Sequence, residues 1–234
     1  VNVLDDRVKH LDETVDLIIG DESTFKFLMT NEKDYEKPTA ILKIIRRFRN
    51  ICSSNSLVRG ICLVDLQRQI VITENTKMTI EGNRYDRYQG QNSFVVTDDG
   101  EERKLEFVKR FEPIRGKKVV YMILTVDEEV FTSNLLVGKE SEMLKSCLMT
   151  RQGDVLTADG LDECAPAVQT ELQGLEKGTE KFETSGQKLV LYKNPSKVSD
   201  MSIAAYEDYT YLEGQTRELK QMIIISSIAM ILAA

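Results

Sequence analysis

Two series of short apolar runs, each broken by tight turns, constrain the fold of this chain more than any other feature of its sequence. Turns of a few residues can join neighbouring strands only in opposite directions, so each series predicts an antiparallel sheet. Helical periodicity precedes, separates and follows the two series. The sequence therefore predicts an α+β fold rather than a doubly wound α/β fold.

The apolar runs also set the bounds of the predicted elements. The first series of strands is expected at Leu57–Val64, Gln69–Thr73, Ser93–Thr97, Lys104–Phe111 and Lys118–Val126. The second series is expected at Leu144–Thr150, Val155–Ala158, Glu180–Thr184, Lys188–Asn194 and Met201–Tyr206. Helical spacing and capping residues predict helices from Thr39 to about Ile51 and from Pro166 to Leu175.

The segment from Val1 to about Asn31 has the pattern of one long amphipathic helix. Its apolar residues recur at steps of four and three: Leu4, Val8, Leu11, Val15 and Ile18. This is the spacing of a heptad seam, so we expect the first four to pack against a partner subunit in a homodimer and to transmit a signal. The alternative is that this stripe, widened by Leu17 and Ile19, packs against the chain's own core.

These elements divide the chain into an N-terminal helical region (1–56), a first sheet module (57–135), a second sheet module (136–208) and a C-terminal helix (209–234). The run Met222–Ala234 carries no charge but is shorter than the roughly 20 residues of a full membrane span, so we interpret it as a truncated transmembrane segment. The alternative is a C-terminal helix packed in the core. Since the chain also opens at Val1 without a signal sequence, we expect it to lie between two membrane helices.

Composition excludes several classes of function. A net charge of −7 argues against a nucleic-acid surface, which needs clustered Lys and Arg. A single histidine, His10, excludes Ser-His-Asp triads and histidine-rich metal sites. The cysteines Cys52, Cys62, Cys147 and Cys164 form no CxxC pair, and buried thiols are favoured over disulfides. We therefore predict that the chain is not an enzyme and has neither a metal site nor a cofactor.

One polar segment, Glu81–Gly90, combines aromatic and cationic side chains more densely than any other stretch. Tyr85 and Tyr88 are suited to stacking on an organic ligand, and Arg87 to binding a carboxylate, so we predict that all three bind a ligand. The alternative is a solvated loop whose aromatic residues only cover the edge of a sheet. Asp127 precedes a helix, and it either caps that helix or points into the ligand pocket.

Several of these motifs resemble a known family. The hairpin from Gly60-Ile-Cys-Leu-Val-Asp65 to Ile70-Val-Ile72 and the strand Val119–Asp127 look like the membrane-distal half of a double Cache domain. The stretch Cys147–Leu156 resembles the start of its membrane-proximal half, and the tail from Tyr209 resembles the helix that leads into a second membrane span. The resemblance covers nearly the whole chain, although each motif is short.

Cache domains are PAS-like extracytoplasmic sensors of bacterial receptors. The resemblance implies a long N-terminal helix with two stacked PAS-like modules, in the extracytoplasmic region of a signal-transduction protein of the cell membrane. It is closest to Firmicute AraC-type transcription regulators, with sensor histidine kinases of two-component systems next. It implies a small-molecule ligand, and a sugar or organic acid is favoured over an amino acid. The alternative function is a ligand-free structural or dimerisation ectodomain.

Overall fold

The computed structural model describes residues 2–29, 38–98, 103–114, 118–133, 135, 144–150, 155–159, 166–184 and 187–209. Its helices are α1 (Asn2–Ile19), α2 (Glu22–Met29), α3 (Pro38–Ser54), α4 (Glu128–Thr132) and α5 (Pro166–Gly174). The strands before α4 are β1 (Val58–Asp65), β2 (Ile70–Thr73), β3 (Lys77–Thr79), β4 (Phe94–Asp98), β5 (Arg103–Ile114) and β6 (Lys118–Val126). Those after it are β7 (Leu144–Thr150), β8 (Val155–Asp159), β9 (Gly178–Thr184), β10 (Gln187–Pro195) and β11 (Met201–Asp208).

The strands form two antiparallel sheets, which confirms the predicted α+β class. The first sheet has the order β3-β2-β1-β6-β5-β4, and the second has the order β8-β7-β11-β10-β9. Most strand bounds agree with the prediction to within two residues. The prediction missed β3, because three residues with two polar side chains give no apolar alternation. The predicted module boundaries stay predictions, and the one between the two sheets falls largely outside the described residues.

The first sheet has two unlike faces, because alternate side chains of a strand point to opposite sides. On one face, Leu63, Ile72 and Met122 join the main hydrophobic core, which also contains the buried residues of α1 and α3. On the other face, Val64, Ile123 and their neighbours form a separate cluster to which no α-helix of the described chain contributes. Only the first face is therefore covered by helices.

The second sheet packs α5 on one of its faces. Val168 and Leu172 of this helix join Met149 and Leu191 of the sheet in a separate core. The Lys193 ammonium donates hydrogen bonds to the carbonyl oxygens of Leu172 (2.8 Å) and Gln173 (3.2 Å), and so stabilises carbonyl groups at the end of α5 that have no helical partner. From the opposite face, Leu148 and Met201 reach the main core, so the two sheets share packing.

The predicted partner seam on the first helix is wrong. Its four residues lie in the core of their own chain, with exposed fractions of 0 % for Leu4, 4 % for Val8, 0 % for Leu11 and 0 % for Val15. A heptad stripe needs an apolar surface, and the helix-covered face of the first sheet supplies one within the chain. These four residues therefore cannot form a dimer interface while the domain is folded.

The predicted single N-terminal helix is also divided in two. The first helix ends at Ile19, just before Gly20, and α2 begins at Glu22. The Asp21 carboxylate accepts hydrogen bonds from the backbone N–H groups of Ser23 (3.0 Å) and Thr24 (3.2 Å), which is the bonding of a helix N-cap. A glycine followed by a capping residue therefore starts a new helix where the sequence periodicity suggested continuity.

Polar contacts fix α1 to both sheets. Asp5 accepts hydrogen bonds from the Ser196 hydroxyl (2.7 Å) and the Lys197 backbone N–H (3.2 Å) between β10 and β11. Farther along, Asp12 forms an ion pair with Lys109 of β5. The helix therefore connects the second sheet to the first.

A buried ion pair between β6 and β1 of the first sheet lies beside the end of α2. The Lys118 ammonium lies 3.0 Å from Asp65 Oδ2, and the two side chains are 1 % and 0 % exposed. Lys118 also donates a hydrogen bond to the Leu28 carbonyl oxygen (3.0 Å), and Arg68 donates one to the Phe27 carbonyl oxygen (3.0 Å). Two cations thus stabilise the C-terminal end of α2, where the helix dipole is negative.

The structure describes three of the four cysteines. Cys52, Cys62 and Cys147 are not in disulfides, as favoured above, but only Cys147 is buried, and Cys52 and Cys62 are half-buried. Cys164 lies outside the described residues. Burial raises the pKa of the Cys52 thiol to about 11, so this thiol is un-ionised at neutral pH.

Within the described ranges, no helix is long and apolar enough to cross a membrane. The predicted transmembrane segment at Met222–Ala234 lies outside those ranges.

We predict that Lys118→Met lowers the free energy of unfolding by about 3 kcal/mol, because it leaves the buried Asp65 carboxylate without its closest partner, and only Arg68 Nε at 3.7 Å remains to pair with it. Urea unfolding followed by circular dichroism measures this loss. Replacing both partners, with Asp65→Asn added, should recover most of it, since the fully buried carboxylate charge is then removed together with the ammonium, and Arg68 keeps its hydrogen bond to the Phe27 carbonyl oxygen. The control Lys43→Met removes an exposed lysine of α3. An equal loss in the single and double variants would contradict the prediction.

Candidate functional site

A cavity of about 350 Å³ lies on the face of the first sheet that the helices leave uncovered. Cys62 of β1, Glu106 of β5 and Ile123 of β6 form its floor, and the segment Arg84–Tyr88 covers it. Volumes of roughly 300–1,000 Å³ are typical of small-molecule sites. The size and the mixed polar and aromatic lining make this cavity the best candidate site in the described part of the chain.

The covering segment is built by turns between β3 and β4. Asp86–Tyr88 forms a single 3₁₀ turn, and Gly90 follows it with a φ of 79°, a left-handed conformation that glycine adopts without strain. The Gly90 backbone N–H donates a hydrogen bond to the Tyr121 hydroxyl (3.2 Å), which fixes the segment to β6. The turn therefore carries its side chains over the sheet.

The structure brings together three of the four residues predicted to bind a ligand. Tyr85, Arg87 and Tyr88 all line the cavity. Tyr88 is almost fully buried, and the centroids of the two tyrosine rings lie 6.1 Å apart. The guanidinium carbon of Arg87 lies 5.7 Å from the Tyr88 ring centroid, within the range of a cation–π contact. Their role in binding stays a prediction.

Asp127, the fourth predicted residue, does not line the cavity. Its Oδ1 accepts a hydrogen bond from the Val130 backbone N–H (3.0 Å), and its Oδ2 accepts one from Arg59 Nε (2.8 Å). Burial raises the pKa of Asp127, but these partners outweigh it and hold the pKa below the usual range. Asp127 is therefore the N-cap of α4, and its ion-pair partner Arg59 and its chain neighbour Glu128 line the cavity in its place.

Sequence analysis missed Glu106, the most deeply buried acidic residue of the cavity. It is 8 % exposed, and its Oε2 accepts hydrogen bonds from the Tyr88 hydroxyl (2.6 Å) and the Thr97 hydroxyl (3.2 Å). In the run Leu105-Glu-Phe107 the alternation places Glu106 on the face opposite the apolar side chains, which by itself predicts exposure to solvent. Val108 was the sequence signal that could have found Glu106. It lies on the same face of β5 and is apolar, which indicates that this face is buried.

Burial and the neighbouring acid keep the cavity phenols protonated. Burial raises the pKa of Tyr88 far above its ordinary value, and the hydrogen bond to Glu106 raises it further. Burial likewise raises the pKa of Tyr85. Tyr88 therefore acts as a hydrogen-bond donor to Glu106, and both rings remain uncharged surfaces for a ligand at neutral pH.

The short helix α4 connects the cavity to α1. Its first residue, Glu128, lines the cavity, and burial raises the pKa of this carboxyl against the opposing charges of Arg103 and Arg59. At the other end of α4, Arg7 of α1 donates hydrogen bonds to the Phe131 carbonyl oxygen and, at 3.3 Å, to the Ser133 hydroxyl. Helix α4 thus contacts the cavity at Glu128 and α1 through Arg7.

Comparisons with known proteins place this geometry in a wider context. No protein-family model matches the chain, and no curated protein matches it in sequence. The extracellular domain assigned to histidine kinase vpHK1S-Z8 has a similar structure, with a TM-score of 0.58, 11 % identity, and coverage of 90 % of this chain and 91 % of that one. The sensory domain of the Campylobacter jejuni chemoreceptor Tlp3, solved with isoleucine bound, has a TM-score of 0.54 and 12 % identity, with coverage of 88 % and 89 %.

At such identities the likeness shows the fold alone, which is that of extracellular sensor domains of histidine kinases and chemoreceptors. The resemblance to sensor domains drawn from the sequence is confirmed at this level. Among the described residues, no group of three or more His, Cys, Asp and Glu side chains is arranged to hold a metal ion.

We predict a difference in alkaline stability between the wild type and Tyr88→Phe. The folded-state pKa of Tyr88 is raised above the unfolded value of about 10, so its contribution to stability is complete below about pH 10 and is lost as the pH rises further. Replacing Tyr88 by Phe should make the fall of the unfolding free energy above about pH 10 less steep. Urea unfolding at a series of pH values measures it. Tyr192→Phe, at an exposed tyrosine, is the matched control, and identical slopes for wild type and Tyr88→Phe would refute the prediction.

Proposed function

We propose that this chain is the extracytoplasmic ligand-sensing region of a bacterial membrane receptor, and that its cavity on the first sheet binds a small molecule. The observation that carries the proposal is the cavity itself: it opens on the helix-free face and is covered by a segment with two tyrosines and two arginines. Its fold is shared with extracellular sensor domains. The role is binding rather than catalysis.

The proposed ligands include amino acids, a class that the sequence analysis placed behind sugars and organic acids. A related structure of the Tlp3 ligand-binding domain is a complex with L-valine, at a TM-score of 0.54 and 12 % identity, and another contains isoleucine. These relatives give no support to a sugar or organic acid over an amino acid. We therefore extend the proposed ligands to amino acids, whose carboxylate suits Arg84 and Arg87.

A thermal-shift screen against amino acids, organic acids and sugars tests the proposal. A ligand at 100 times its dissociation constant should raise the free energy of unfolding by about 2.7 kcal/mol. The double variant Tyr85→Ala with Arg87→Ala should bind at least tenfold more weakly, because it removes an aromatic contact and a cation from the cover. The control Arg110→Ala with Tyr192→Ala changes the same residue types at exposed positions.

Equal binding by the two double variants would place the ligand elsewhere. A screen in which no compound binds would favour the second candidate function, a structural ectodomain without a ligand.

Signal transmission through α4 and α1 is the second part of the proposal. Moving a two-state receptor from 1:99 to 99:1 requires about 5.5 kcal/mol of differential binding. Closure of the cavity on a ligand would move Glu128, and the bonds from Arg7 to the end of α4 would pass this movement to α1. A rigid helix leading to a membrane segment can carry such a shift to an output module.

We predict that Arg7→Ala in the full-length receptor weakens the response to ligand and leaves affinity unchanged. The substitution removes the contacts between α1 and α4 and does not touch the cavity. Affinity by calorimetry and output in cells are the two measurements. The control is Lys9→Ala, an exposed residue of the same helix. A normal response from a folded Arg7→Ala receptor would eliminate this route.

The type of output module stays a prediction. An AraC-type transcription regulator and a sensor histidine kinase remain the two expected forms. A homodimer also stays a prediction, and its interface must use residues other than Leu4, Val8, Leu11 and Val15, which are buried.

A further inference from the structure

The outer surface of the helices that cover the first sheet carries charges of opposite sign on two different helices. The buried residues of α1 and of α3 join the main core against the sheet. The exposed residues of both helices therefore point away from the sheet, on one side of the molecule. None of the exposed residues of these two helices lines the candidate site.

Helix α3 has only basic charges. Its sequence from Pro38 to Ser54 contains four cations and no acidic residue. Lys43, Arg46 and Arg49 are exposed, and we call them the basic face of α3. Like charges three residues apart on a helix repel each other, so this face destabilises the helix. In the described part of the chain, neither Lys43 nor Arg46 forms an ion pair.

The acidic residue that begins α2 does not neutralise the basic face. The hydrogen bond and the charge of Lys26 account for most of the lowering of the Glu22 pKa, and the charge of Lys43 contributes less. Glu22 forms its ion pair with Lys26 of its own helix. The basic face of α3 therefore keeps its charge.

Helix α1 has the opposite charge on its exposed side. Asp6, Glu13 and Asp16 are exposed, and we call them the acidic face of α1. Lys9 is the one exposed lysine or arginine of this helix. Among the residues that the structure describes, the three carboxylates of the acidic face form no ion pair. The exposed side of α1 therefore has a net negative charge.

Large apolar side chains accompany the two charged faces. Five of the eight that the described surface exposes belong to α1, α2 and α3: Val3, Leu17, Phe25, Met29 and Leu42. Helix α2, which carries Phe25, contacts both α1 and α3. Protein interfaces combine an apolar centre with a polar rim. This helix surface therefore has the composition of an interface.

We propose that the helix surface binds a second copy of this chain, with the acidic face of α1 in one copy against the basic face of α3 in the other. In a two-fold dimer the same contact occurs twice, so both faces of both copies are used. Pairing α1 with α1, or α3 with α3, would bring like charges together, which is unfavourable. Each copy has a net charge of −7, so general repulsion opposes association and only such local complementarity can offset it.

Charge reversal tests the inference, with sedimentation velocity on the full chain at protein concentrations up to about 1 mM. The first variant, Lys43→Glu with Arg46→Glu, makes the basic face acidic. The second variant, Asp6→Lys with Glu13→Lys, makes the acidic face basic. All four side chains are exposed, so both variants should fold, which circular dichroism checks. We expect the wild type to dimerise and each variant alone to dimerise at least tenfold more weakly, since like charges then meet.

An equal mixture of the two variants restores both contacts. The basic α1 of the second variant meets the acidic α3 of the first, and the remaining two faces are unchanged. We therefore expect heterodimers with close to the wild-type affinity. The control, Lys177→Glu with Lys181→Glu, changes the net charge as the first variant does, but at exposed positions in and beside β9. It should weaken the dimer far less than the first variant.

A further measurement needs no variant. Raising the NaCl concentration from about 0.1 M to about 1 M shortens the Debye length from about 10 Å to about 3 Å and screens the paired faces. The wild-type dimer should then dissociate at least tenfold more readily. An interface held by apolar contacts alone would not be weakened by salt.

The inference is overturned if the wild type stays monomeric at every concentration. It is also overturned if the dimer survives both reversals, if the mixture does not recover the affinity, or if salt does not weaken the wild-type dimer. None of these measurements involves the ligand cavity, so the proposed function stands or fails separately.

Discussion

The two faces of the first sheet decide the arrangement of this molecule. Every strand of a sheet exposes two sets of side chains, and each set has to be covered or solvated. The core formed with α1 and α3 covers one face, where Leu63 and Met122 lie. Because these helices are used there, the other face is left for a short irregular segment. A cavity remains between that segment and the sheet, and it holds the candidate site.

The charges of the cavity depend on the same arrangement. A side chain on the outer face of a sheet normally contacts water, and an acidic residue there costs little free energy of folding. The covering segment places Tyr88 over Glu106. Glu106 is thereby removed from water, and the Tyr88 hydroxyl donates one strong hydrogen bond to it. The cover also brings arginines over the tyrosine rings. Charged side chains of both signs therefore line the cavity, with Arg84 and Arg87 at the cover and Arg59, Arg103, Lys104 and Glu106 on the sheet strands.

One face of helix α1 packs in the core, and other residues of the helix make the contacts through which we propose that the signal passes. Its apolar stripe is buried in the chain's own core, and its polar contacts reach both sheets and α4. A helix held in this way moves with the domain rather than independently of it. Movement of the domain on ligand binding would then be passed on by a rigid element, as expected for packed interfaces that change between discrete states.

The sequence by itself determined the local structure, because periodicity and capping act over a few residues. The apolar alternation correctly predicted the residues at which β7 and β11 begin, and the acidic turn at Asp127 predicted the start of α4. The density of tyrosine and arginine in Glu81–Gly90 also pointed to the cavity cover. Only the tertiary structure decided which surface each pattern meets. The stripe of Leu4 and Leu11 suits a partner subunit or the chain's own sheet equally well, and the choice depends on where that sheet lies. Glu106 has the pattern of a solvated residue, and it becomes part of the candidate site only because the segment that carries Tyr88 folds over it.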